Sequence, residues 1–369
     1  MTNREREVLK LIESNPMISQ EEIANNLGIT RSSVAVHISN LMKKGVIMGK
    51  GYVLSKEESY ICVVGGSNID IQGYPKDSLI LGDSNPGSVK TSLGGVGRNI
   101  AENLTRLGVK TKFLSVVGDD ENGKKILTHA KSIDLHMENT LVVKGESTST
   151  YLCVLDEKRD MNVAISYMDI LKNMDIDYIK KNDYIIKNSK FCIIDANLPE
   201  ILEYLVTTYD VPFILDTVSA SKAKKIKDLV GYFHTIKPNK MEAEVLSGIA
   251  INSEADLKKA GQYFVDKGVK NVFITLGAEG VYYKTPNIEG IVVPPTMEMV
   301  GATGAGDAFV AGLTYGLFNN KDIEEEIRFA IGASILAISS EETINPNITS
   351  SLVKKTIEKL NFENNKIIL

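Results

Sequence analysis

The sequence contains no tryptophan, only 3 cysteines and only 4 histidines among its 369 residues. Cys62, Cys153 and Cys192 are far apart in the chain and share no metal-ligand spacing with histidine, so neither a disulfide scaffold nor a Cys/His metal site is predicted. No run approaches the roughly 18 apolar residues that a membrane-spanning helix needs. The N-terminal stretch MTNREREVLK is charged where a signal peptide would be apolar, so we expect a cytoplasmic protein.

The composition is that of a folded globular protein, with 43% hydrophobic and 24% charged residues. A chain of 369 residues exceeds the usual size of one domain, so we expect two domains. The charge is divided unevenly between them. Residues 1–56 hold 8 Lys and Arg against 5 Asp and Glu, whereas the remainder holds 34 against 42. Only the first segment is suited to binding nucleic acid.

Residues 1–56 have the pattern of a small helical domain. Ser19 and Glu22 have the spacing of a capping box at the start of a second helix, and Gly28 permits the left-handed turn that ends it. Thr30 can cap a third helix. The apolar positions at helical spacing in the three helices are Val8, Leu9, Ile12, Ile23, Leu27, Val34, Ile38 and Leu41.

The third helix presents a polar outward face, and the stretch from Gly49 to Leu54 has the pattern of a two-stranded wing with a basic tip. The order of these elements resembles the winged helix-turn-helix of bacterial transcription regulators. The resemblance implies DNA binding, and the alternative is a module for dimerisation or docking. The candidate DNA-binding residues are Arg31, Ser32, Ser33, His37 and Lys50.

Residues 60–365 alternate between apolar runs and helical patterns. The runs at 60–64, 112–117, 191–194, 211–215, 233–236 and 271–275 predict strands, and the stretches Ala255–Lys267, Asp307–Phe318 and Glu324–Ser339 predict helices. This order predicts an α/β domain with a mostly parallel central sheet covered on both faces. Two β-rich insertions, about 70–93 and 146–167, interrupt the alternation. They would suit a small lid over an active site, or they are surface hairpins without function.

The loop that leads into the helix at Asp307 is built of small residues, Gly301-Ala-Thr-Gly-Ala-Gly306. Several backbone N–H groups can converge there on an anion, and the helix dipole favours negative charge at the same place. Asp307 lies close enough to take a proton from a hydroxyl while the neighbouring amides hold a transferring phosphoryl group. The alternative is an ordinary helix N-terminus with an acidic first turn.

A second loop of small residues, from Leu93 to Asn99, precedes a predicted helix at Ile100–Leu107 and lets a ligand lie against bare backbone. Asn99 can hydrogen-bond to a hydroxyl of that ligand. Asn68 and Asp70 follow the first strand of this domain and can bind a diol, because one carboxylate accepts from two adjacent hydroxyls. The alternative for Asn68 and Asp70 is a local side-chain turn.

Five motifs in this order are similar to those of the ribokinase-like (PfkB) sugar and nucleoside kinases, over about residues 60–360. They are Gly94-Gly95, Asn99, the pair Asn239 and Glu242, Thr275-Leu-Gly277-Ala-Glu-Gly280, and Gly304-Ala-Gly-Asp307. The resemblance implies the ribokinase-like sandwich with a small β lid, and an ATP-dependent phosphotransferase that acts on an alcohol group.

The resemblance also implies a role for each matching residue. Asp307 would be the base, with Gly304, Ala305 and Gly306 as the anion hole. Asn239 and Glu242 would order Mg²⁺ near the phosphates, and Thr275, Gly277 and Gly280 would line the ATP site. The substrate residues would be Asn68, Asp70, Gly94, Gly95, Arg98 and Asn99, with a structural role as the alternative for Arg98.

The chain departs from the family pattern at Gly301-Ala302, where many members have Asp-Thr. Because the side-chain oxygen used there for a monovalent cation is missing, the sequence does not support activation by potassium. Within the family, the stretches Gly65–Ile71, Asp83–Gly87, Gly94–Ala101 and Ile236–Asn239 closely resemble the members that phosphorylate pseudouridine.

Several alternatives stay open. The substrate could instead be ribose, another nucleoside or a fructose phosphate. The chain could also be a transcription regulator whose kinase-like domain senses a ligand, although intact Asp307, Asn239 and Glu242 favour an enzyme. We expect a homodimer, because bacterial DNA-binding proteins of this kind are usually two-fold symmetric.

Overall fold

The computed structural model describes residues 1–49, 59–295 and 304–360, and the backbone alone of residues 366–368. It divides into two compact units, one of residues 1–59 with 181–189 and one of residues 60–180 with 190–369. The predicted boundaries, 1–56 and 60–365, stay a prediction because the residues between the two segments lie largely outside the described ranges.

The strands are numbered in chain order. They are β1 (Ile61–Val64), β2 (Asn68–Pro75), β3 (Gly87–Gly94), β4 (Thr111–Leu114), β5 (Val116–Gly118), β6 (Leu141–Val143), β7 (Thr150–Leu155), β8 (Met161–Tyr167), β9 (Phe191–Asp195), β10 (Phe213–Asp216), β11 (Thr235–Ile236), β12 (Asn271–Thr275), β13 (Val281–Lys284), β14 (Glu289–Val292) and β15 (Lys366–Ile368).

The α-helices are numbered in the same way, and three short 3₁₀ helices lie at Asp169–Asn173, Lys227–Tyr232 and Gly277–Glu279. The α-helices are α1 (Asn3–Ser14), α2 (Gln20–Leu27), α3 (Arg31–Lys43), α4 (Val96–Arg106), α5 (Glu121–Ser132), α6 (Ile176–Lys181), α7 (Asp183–Lys187), α8 (Pro199–Thr208), α9 (Ala220–Lys225), α10 (Lys240–Ser247), α11 (Glu254–Asp266), α12 (Ala305–Phe318), α13 (Ile323–Ile338) and α14 (Ser350–Lys359).

Helices α1 to α3 form the helix-turn-helix that the sequence predicts. The capping box of Ser19 and Glu22 is present at the start of α2, and Gly28 ends α2 with φ +62°. The side chain of Thr30 accepts a hydrogen bond from the backbone N–H of Ser33 and caps α3. The predicted apolar positions are confirmed as the core of these helices: Val8, Ile12, Ile23, Val34, Ile38 and Leu41 are buried, and Leu9 and Leu27 pack against them. Most of the predicted wing, including Lys50, lies outside the described residues.

The second unit is built on a nine-stranded sheet in the order β15-β14-β13-β12-β11-β10-β9-β1-β4. Six neighbouring strands are parallel to one another, namely β4, β1, β9, β10, β11 and β12. The other three, β13, β14 and β15, are each antiparallel to their neighbours. Every residue of β1, β9 and β10 is buried, as expected for parallel strands covered on both faces. The predicted α/β fold with a mostly parallel sheet is confirmed. The carboxyl ends of the six parallel strands lie at one edge, where ligands of such sheets bind.

The two β-rich insertions pair with each other in a separate four-stranded sheet of order β3-β2-β7-β8. Strands β2 and β7 are parallel, and the other two pairs are antiparallel. The run at 112–117, predicted as one strand, is two. Strand β4 ends at Leu114. The backbone then leaves the central sheet, because the Ser115 carbonyl oxygen accepts a hydrogen bond from the Leu141 amide, and β5 pairs with β6 in a third sheet.

Two helices begin earlier than the sequence predicts. Helix α4 begins at Val96, not Ile100, and α12 begins at Ala305, so that Asp307 is its third residue. In both cases a glycine with positive φ is the N-cap, Gly95 at +100° and Gly304 at +84°, and the residues after it are already helical. Helices α4 and α12 pack against each other, and their first turns are joined by a hydrogen bond between Asn99 and Asp307.

Candidate active site

Asp307 lies in the first turn of α12 and keeps part of its surface exposed. Its Oδ2 accepts a hydrogen bond of 2.8 Å from Nδ2 of Asn99, in the first turn of α4. Burial, together with the nearby carboxylates of Asp216 and Asp195, raises the pKa of Asp307 to about 7, against the opposing effects of Asn99 and Lys237. A carboxylate with such a pKa is half ionised near neutral pH and can act as a general base.

Three charged residues that the sequence did not single out surround Asp307. Asp195 and Asp216 are the last residues of β9 and β10 and are paired in register. Lys237 follows β11, and its Nζ lies 3.5 Å from the Asp216 carboxylate. Burial alone would lower the pKa of Lys237, but Asp216, Glu242 and Asp307 together raise it, so the side chain is charged. Their only sequence signal is that each ends or follows a predicted strand of a parallel sheet.

The loop before α12 lies against Lys237. A Cβ built on Gly306 would be 3.4 Å from Nζ of Lys237, and Gly306 itself is exposed. The first backbone N–H groups of α12 and this ammonium group therefore adjoin the same space, which suits an anion. At Gly304 a Cβ would lie 2.0 Å from the Thr343 carbonyl oxygen, so no other residue fits there without movement.

A cavity of about 500 Å³ opens beside this anion site. The structure places Thr275, Gly277 and Gly280, the predicted nucleotide residues, on its lining together with Ala305 and Gly306. The remaining walls are mainly apolar, which suits a flat aromatic ring. They are formed by Ala278, Val281, Pro294, Pro295, Phe309, Ile331, Ile335 and Ile338, and the polar side chains on the lining, besides Thr275, are Lys237 and Ser334.

The predicted sugar residues lie where β2 and β3 meet. Asn68 pairs in register with Gly94, and its Nδ2 donates to Oδ1 of Asp70 at 2.5 Å. A Cβ on Gly94 would lie 2.2 Å from the Asp70 carboxylate, and one on Gly95 would lie 2.5 Å from the Gly66 carbonyl oxygen. Gly95, which also has a positive φ, therefore requires glycine, whereas a side chain at Gly94 would displace the Asp70 carboxylate. Burial raises the pKa of Asp70, against the hydrogen bond from Asn68.

Arg98, in the first turn of α4, is buried, with 4% of its surface exposed. Its guanidinium donates to the Leu93 carbonyl oxygen at 3.0 Å, to Oδ1 of Asn99 at 2.9 Å and to the carboxylate of Glu102. The structure thus places Arg98 among protein partners, which agrees with the structural alternative rather than with a substrate contact.

Asn239 and Glu242 form a capping box at the start of α10. Oδ1 of Asn239 accepts from the backbone N–H of Glu242, and Oε2 of Glu242 accepts from the backbone N–H of Asn239 and from the hydroxyl of Thr217. Oε1 of Glu242 has no such partner in the described structure and is a suitable oxygen for water bound to a cation. Within the described ranges no group of three or more His, Cys, Asp or Glu could hold a metal ion.

In the helix-turn-helix, Arg31 and Ser32 are exposed at the start of α3, and Ser33 and His37 are partly exposed. The hydroxyl of Thr30 lies 2.9 Å from those of Ser32 and Ser33. The polar face that the sequence predicts is thus present on α3. Lys50, which the sequence predicts in the wing, lies outside the described residues.

The parallel sheet, the carboxylate at a helix N-terminus and the adjoining cavity define a small-molecule kinase of the α/β class. The chain belongs to the pfkB family of carbohydrate kinases, whose model matches residues 58–350. A second family model, winged helix-turn-helix DNA-binding, matches residues 1–48. The chain is therefore an ATP-dependent sugar or nucleoside kinase with an N-terminal helix-turn-helix, and kinases of this fold use ATP and a divalent cation.

Two curated relatives come from Escherichia coli (strain K12). The chain is 38% identical to a pseudouridine kinase over 306 residues, which cover 82% of this chain and 98% of that protein. It is 37% identical over 353 residues to the uncharacterized sugar kinase YeiI, and this match covers 95% of this chain and 97% of YeiI. The second match is long enough to include most of the helix-turn-helix.

Solved structures show the same kinase fold. A provisionally assigned sugar kinase from Clostridium perfringens is 43% identical with a TM-score of 0.78, and the match covers 85% of this chain and all of that one. Arabidopsis thaliana ribokinase, in complex with ribose and ATP, is 22% identical with a TM-score of 0.69, over 82% of this chain and 99% of that one, and shows the fold alone.

The helices of the described residues include none with the length and hydrophobicity that a membrane span requires.

Proposed function

We propose that the chain phosphorylates the 5′-hydroxyl of pseudouridine with ATP. The observation that carries the kinase chemistry is the position of Asp307, partly exposed, beside the amides of Ala305 and Gly306 and the ammonium group of Lys237. The choice of pseudouridine rests on the motifs quoted above and on the relative of that name at 38% identity.

In the proposed reaction Asp307 accepts the proton of the substrate hydroxyl. The hydroxyl oxygen forms a bond to the terminal phosphorus of ATP, the bond from that phosphorus to the bridging oxygen breaks, and ADP leaves with that electron pair. The N–H groups at the start of α12 and Lys237 bind the negative charge on the transferring group. The pKa of about 7 for Asp307 suits proton uptake near neutral pH.

A divalent cation, proposed to be Mg²⁺, would neutralise charge on the phosphate oxygens. Asn239 and Glu242 are the residues proposed to hold its waters, since Oε1 of Glu242 keeps an acceptor available. Because Mg²⁺ keeps several waters and binds mainly to substrate phosphates in kinases, a complete cage of protein ligands is not required.

On the substrate side, Asp70 would accept hydrogen bonds from the ribose hydroxyls and Asn68 would donate to them. Gly94 and Gly95 would allow the ribose to lie close to the backbone. Asn99 would orient the reacting hydroxyl toward Asp307. The four-stranded sheet of β3, β2, β7 and β8 is proposed to act as a lid that excludes water during transfer.

The substrate is tested by ADP release in a coupled assay, with pseudouridine, uridine, guanosine, ribose and fructose 6-phosphate compared at equal concentrations. We expect the highest kcat/KM with pseudouridine. Uridine is the matched control, because it differs only in the bond that joins base and ribose. A higher kcat/KM with any other compound would replace pseudouridine as the substrate, and no turnover with any of them would favour the ligand-sensing regulator.

We propose in addition that the full chain binds DNA through α3, with Arg31, Ser32, Ser33 and His37 toward the DNA. The support is the family match over residues 1–48 and the exposed polar start of α3. A homodimer is proposed from the two-fold symmetry that such DNA-binding proteins usually share with their sites.

A further inference from the structure

Arg98 and Asn99 are consecutive residues in the first turn of α4 that link the protein interior to Asp307. Nη1 of Arg98 donates to Oδ1 of Asn99 at 2.9 Å, and Nδ2 of Asn99 donates to Oδ2 of Asp307 at 2.8 Å. The amide of Asn99 therefore lies between a group that only donates and a carboxylate that, when ionised, only accepts.

The two ends of an asparagine amide have opposite roles, since the oxygen only accepts and the nitrogen only donates. If the amide of Asn99 were rotated by half a turn, its oxygen would face the Asp307 carboxylate and its nitrogen would face the guanidinium. Both hydrogen bonds would then be lost and replaced by repulsion. Arg98 thus selects the orientation in which Asn99 donates to Asp307.

The guanidinium of Arg98 is itself fixed from the other side. It donates to Glu102, one turn along α4, and to the Leu93 carbonyl oxygen. Glu102 also accepts from Nε of Arg106 at 2.7 Å and lies 3.1 Å from the His129 ring. Burying such an ion pair adds little net stability, because desolvation opposes the attraction, so its orienting effect gives a reason for its presence.

We propose that Arg98 is a positioning residue for phosphoryl transfer, which holds the Asn99 amide so that its nitrogen faces Asp307. The inference rests on the proposed role of Asp307 as base. The hydrogen bond from Asn99 favours the ionised carboxylate, and Lys237 acts in the same direction, whereas burial, Asp216 and Asp195 favour the protonated form. Loss of the oriented amide therefore raises the pKa of Asp307, and higher pH is needed for activity.

The test is the pH dependence of kcat in Arg98→Lys, which keeps the charge but not the planar, forked donor geometry. We expect the midpoint to move up by about 0.5 to 1 pH unit, so that kcat at pH 6 falls about three- to tenfold and recovers near pH 9. The matched control is Arg106→Lys. Arg106 also donates to Glu102 but makes no hydrogen bond to Asn99 in the described structure, so the midpoint of kcat against pH should stay unchanged in this variant.

A double variant shows whether the effect passes through Asn99. In the Asn99→Ala background, Arg98→Lys should produce no further shift of the midpoint. An equal shift in both backgrounds, an unchanged midpoint in Arg98→Lys, or a loss of kcat that is uniform across pH would overturn the proposal.

The pKa of Asp307 in the free enzyme can be read without turnover. The gain in Tm from Asp307→Asn should stop growing at the pKa of Asp307, and in the Arg98→Lys background it should level off at a higher pH. An inactive wild-type enzyme would refute the proposed function. If the pH at which the gain levels off did not move in Arg98→Lys, the positioning role would be refuted instead.

Discussion

Asp307 is held between effects that oppose its ionisation and effects that favour it. Burial and two neighbouring carboxylates raise its pKa to about 7, although Asn99 and Lys237 act in the opposite direction. The charged form needed for proton uptake is therefore available near neutral pH and scarce below it. The side chain is placed where a small change in its surroundings has a large effect on rate.

We predict that kcat/KM rises with pH to a plateau, with a midpoint near 7, and falls about tenfold per pH unit below it. Asp307→Asn should lose at least about a hundredfold in activity, since loss of a general base typically costs 10²- to 10⁴-fold. The measurement is the ADP assay from pH 5.5 to 9. An Asn variant that retained more than about a hundredth of the activity would exclude Asp307 as the base.

The same variant has an expected effect on stability. Because folding raises the pKa of Asp307 from its ordinary value of 3.8, the folded state loses stability as pH rises from about 4 to about 7, when the unfolded chain is already ionised. Asp307→Asn should therefore raise Tm at pH 8, and the gain should shrink toward pH 5. A lower Tm at pH 8 would show that the lost activity reflects misfolding.

Asp307, Asn99 and the glycines around them could be predicted from the sequence because loops of small residues before helices are local patterns. Asp195, Asp216 and Lys237 could not, because their convergence depends on the order of strands in the sheet. The family resemblance places Arg98 among the substrate residues, with a structural role as the alternative. Its burial follows from α4 beginning at Val96, which turns Arg98 toward Glu102.

At the scale of elements, the start of α12 depends on one backbone conformation. Gly304 has φ +84°, and a Cβ there would meet the Thr343 carbonyl oxygen at 2.0 Å. Two costs are therefore expected for any side chain: the left-handed backbone and the displaced carbonyl. Because the amides that follow Gly304 are the proposed anion hole, both would also disturb phosphate binding.

We predict that Gly304→Ala destabilises the protein by about 2 to 4 kcal/mol and reduces kcat strongly. The matched control is Gly82→Ala, which has a similar φ of +79° but nothing within 4 Å of the added methyl group. It should cost only about 1 to 2 kcal/mol, the backbone penalty alone, with kcat unchanged. Thermal melts and the ADP assay give both values. Equal losses in the two variants would contradict a steric role for Thr343.

The elements themselves were largely predictable, and the errors have local causes. The two insertions carry strand patterns, but that they pair in one sheet of four strands is a long-range fact that no single stretch contains. The run at 112–117 is continuous in hydrophobicity, yet the backbone leaves the central sheet at Ser115. Apolar periodicity predicts strands well and sheet membership poorly.

At the scale of the whole molecule, the chain combines a mildly basic segment with an acidic remainder. Residues 1–56 carry 8 basic against 5 acidic residues, and the rest 34 against 42. Binding of DNA by the acidic part is disfavoured, so the proposed contacts with DNA are assigned to the helix-turn-helix. In a kinase fused to such a module, substrate binding and DNA binding are coupled only if each ligand changes the affinity of the protein for the other.

We predict that, with a non-hydrolysable ATP analogue at saturation in every measurement, pseudouridine changes the Kd for duplex DNA from upstream of the chain's own gene by a factor of about 5 to 150. DNA must then change the Kd of the nucleoside by the same factor, because coupling at equilibrium is reciprocal. Fluorescence anisotropy with labelled duplex and calorimetry with the nucleoside measure the two factors at one salt concentration. An unchanged DNA Kd would mean that the two modules act independently.

The source of the DNA signal is checked with Arg31→Ala, which removes an exposed cation at the start of α3. It should weaken DNA binding and reduce the slope of log K against log salt by about 1 if Arg31 contacts a phosphate, with ADP production unchanged. Arg4→Ala is the matched control, since it removes the same charge from α1, where Arg4 pairs with Glu7. Equal losses in both variants would assign binding to net charge alone, because only a specific α3 contact makes the two positions differ.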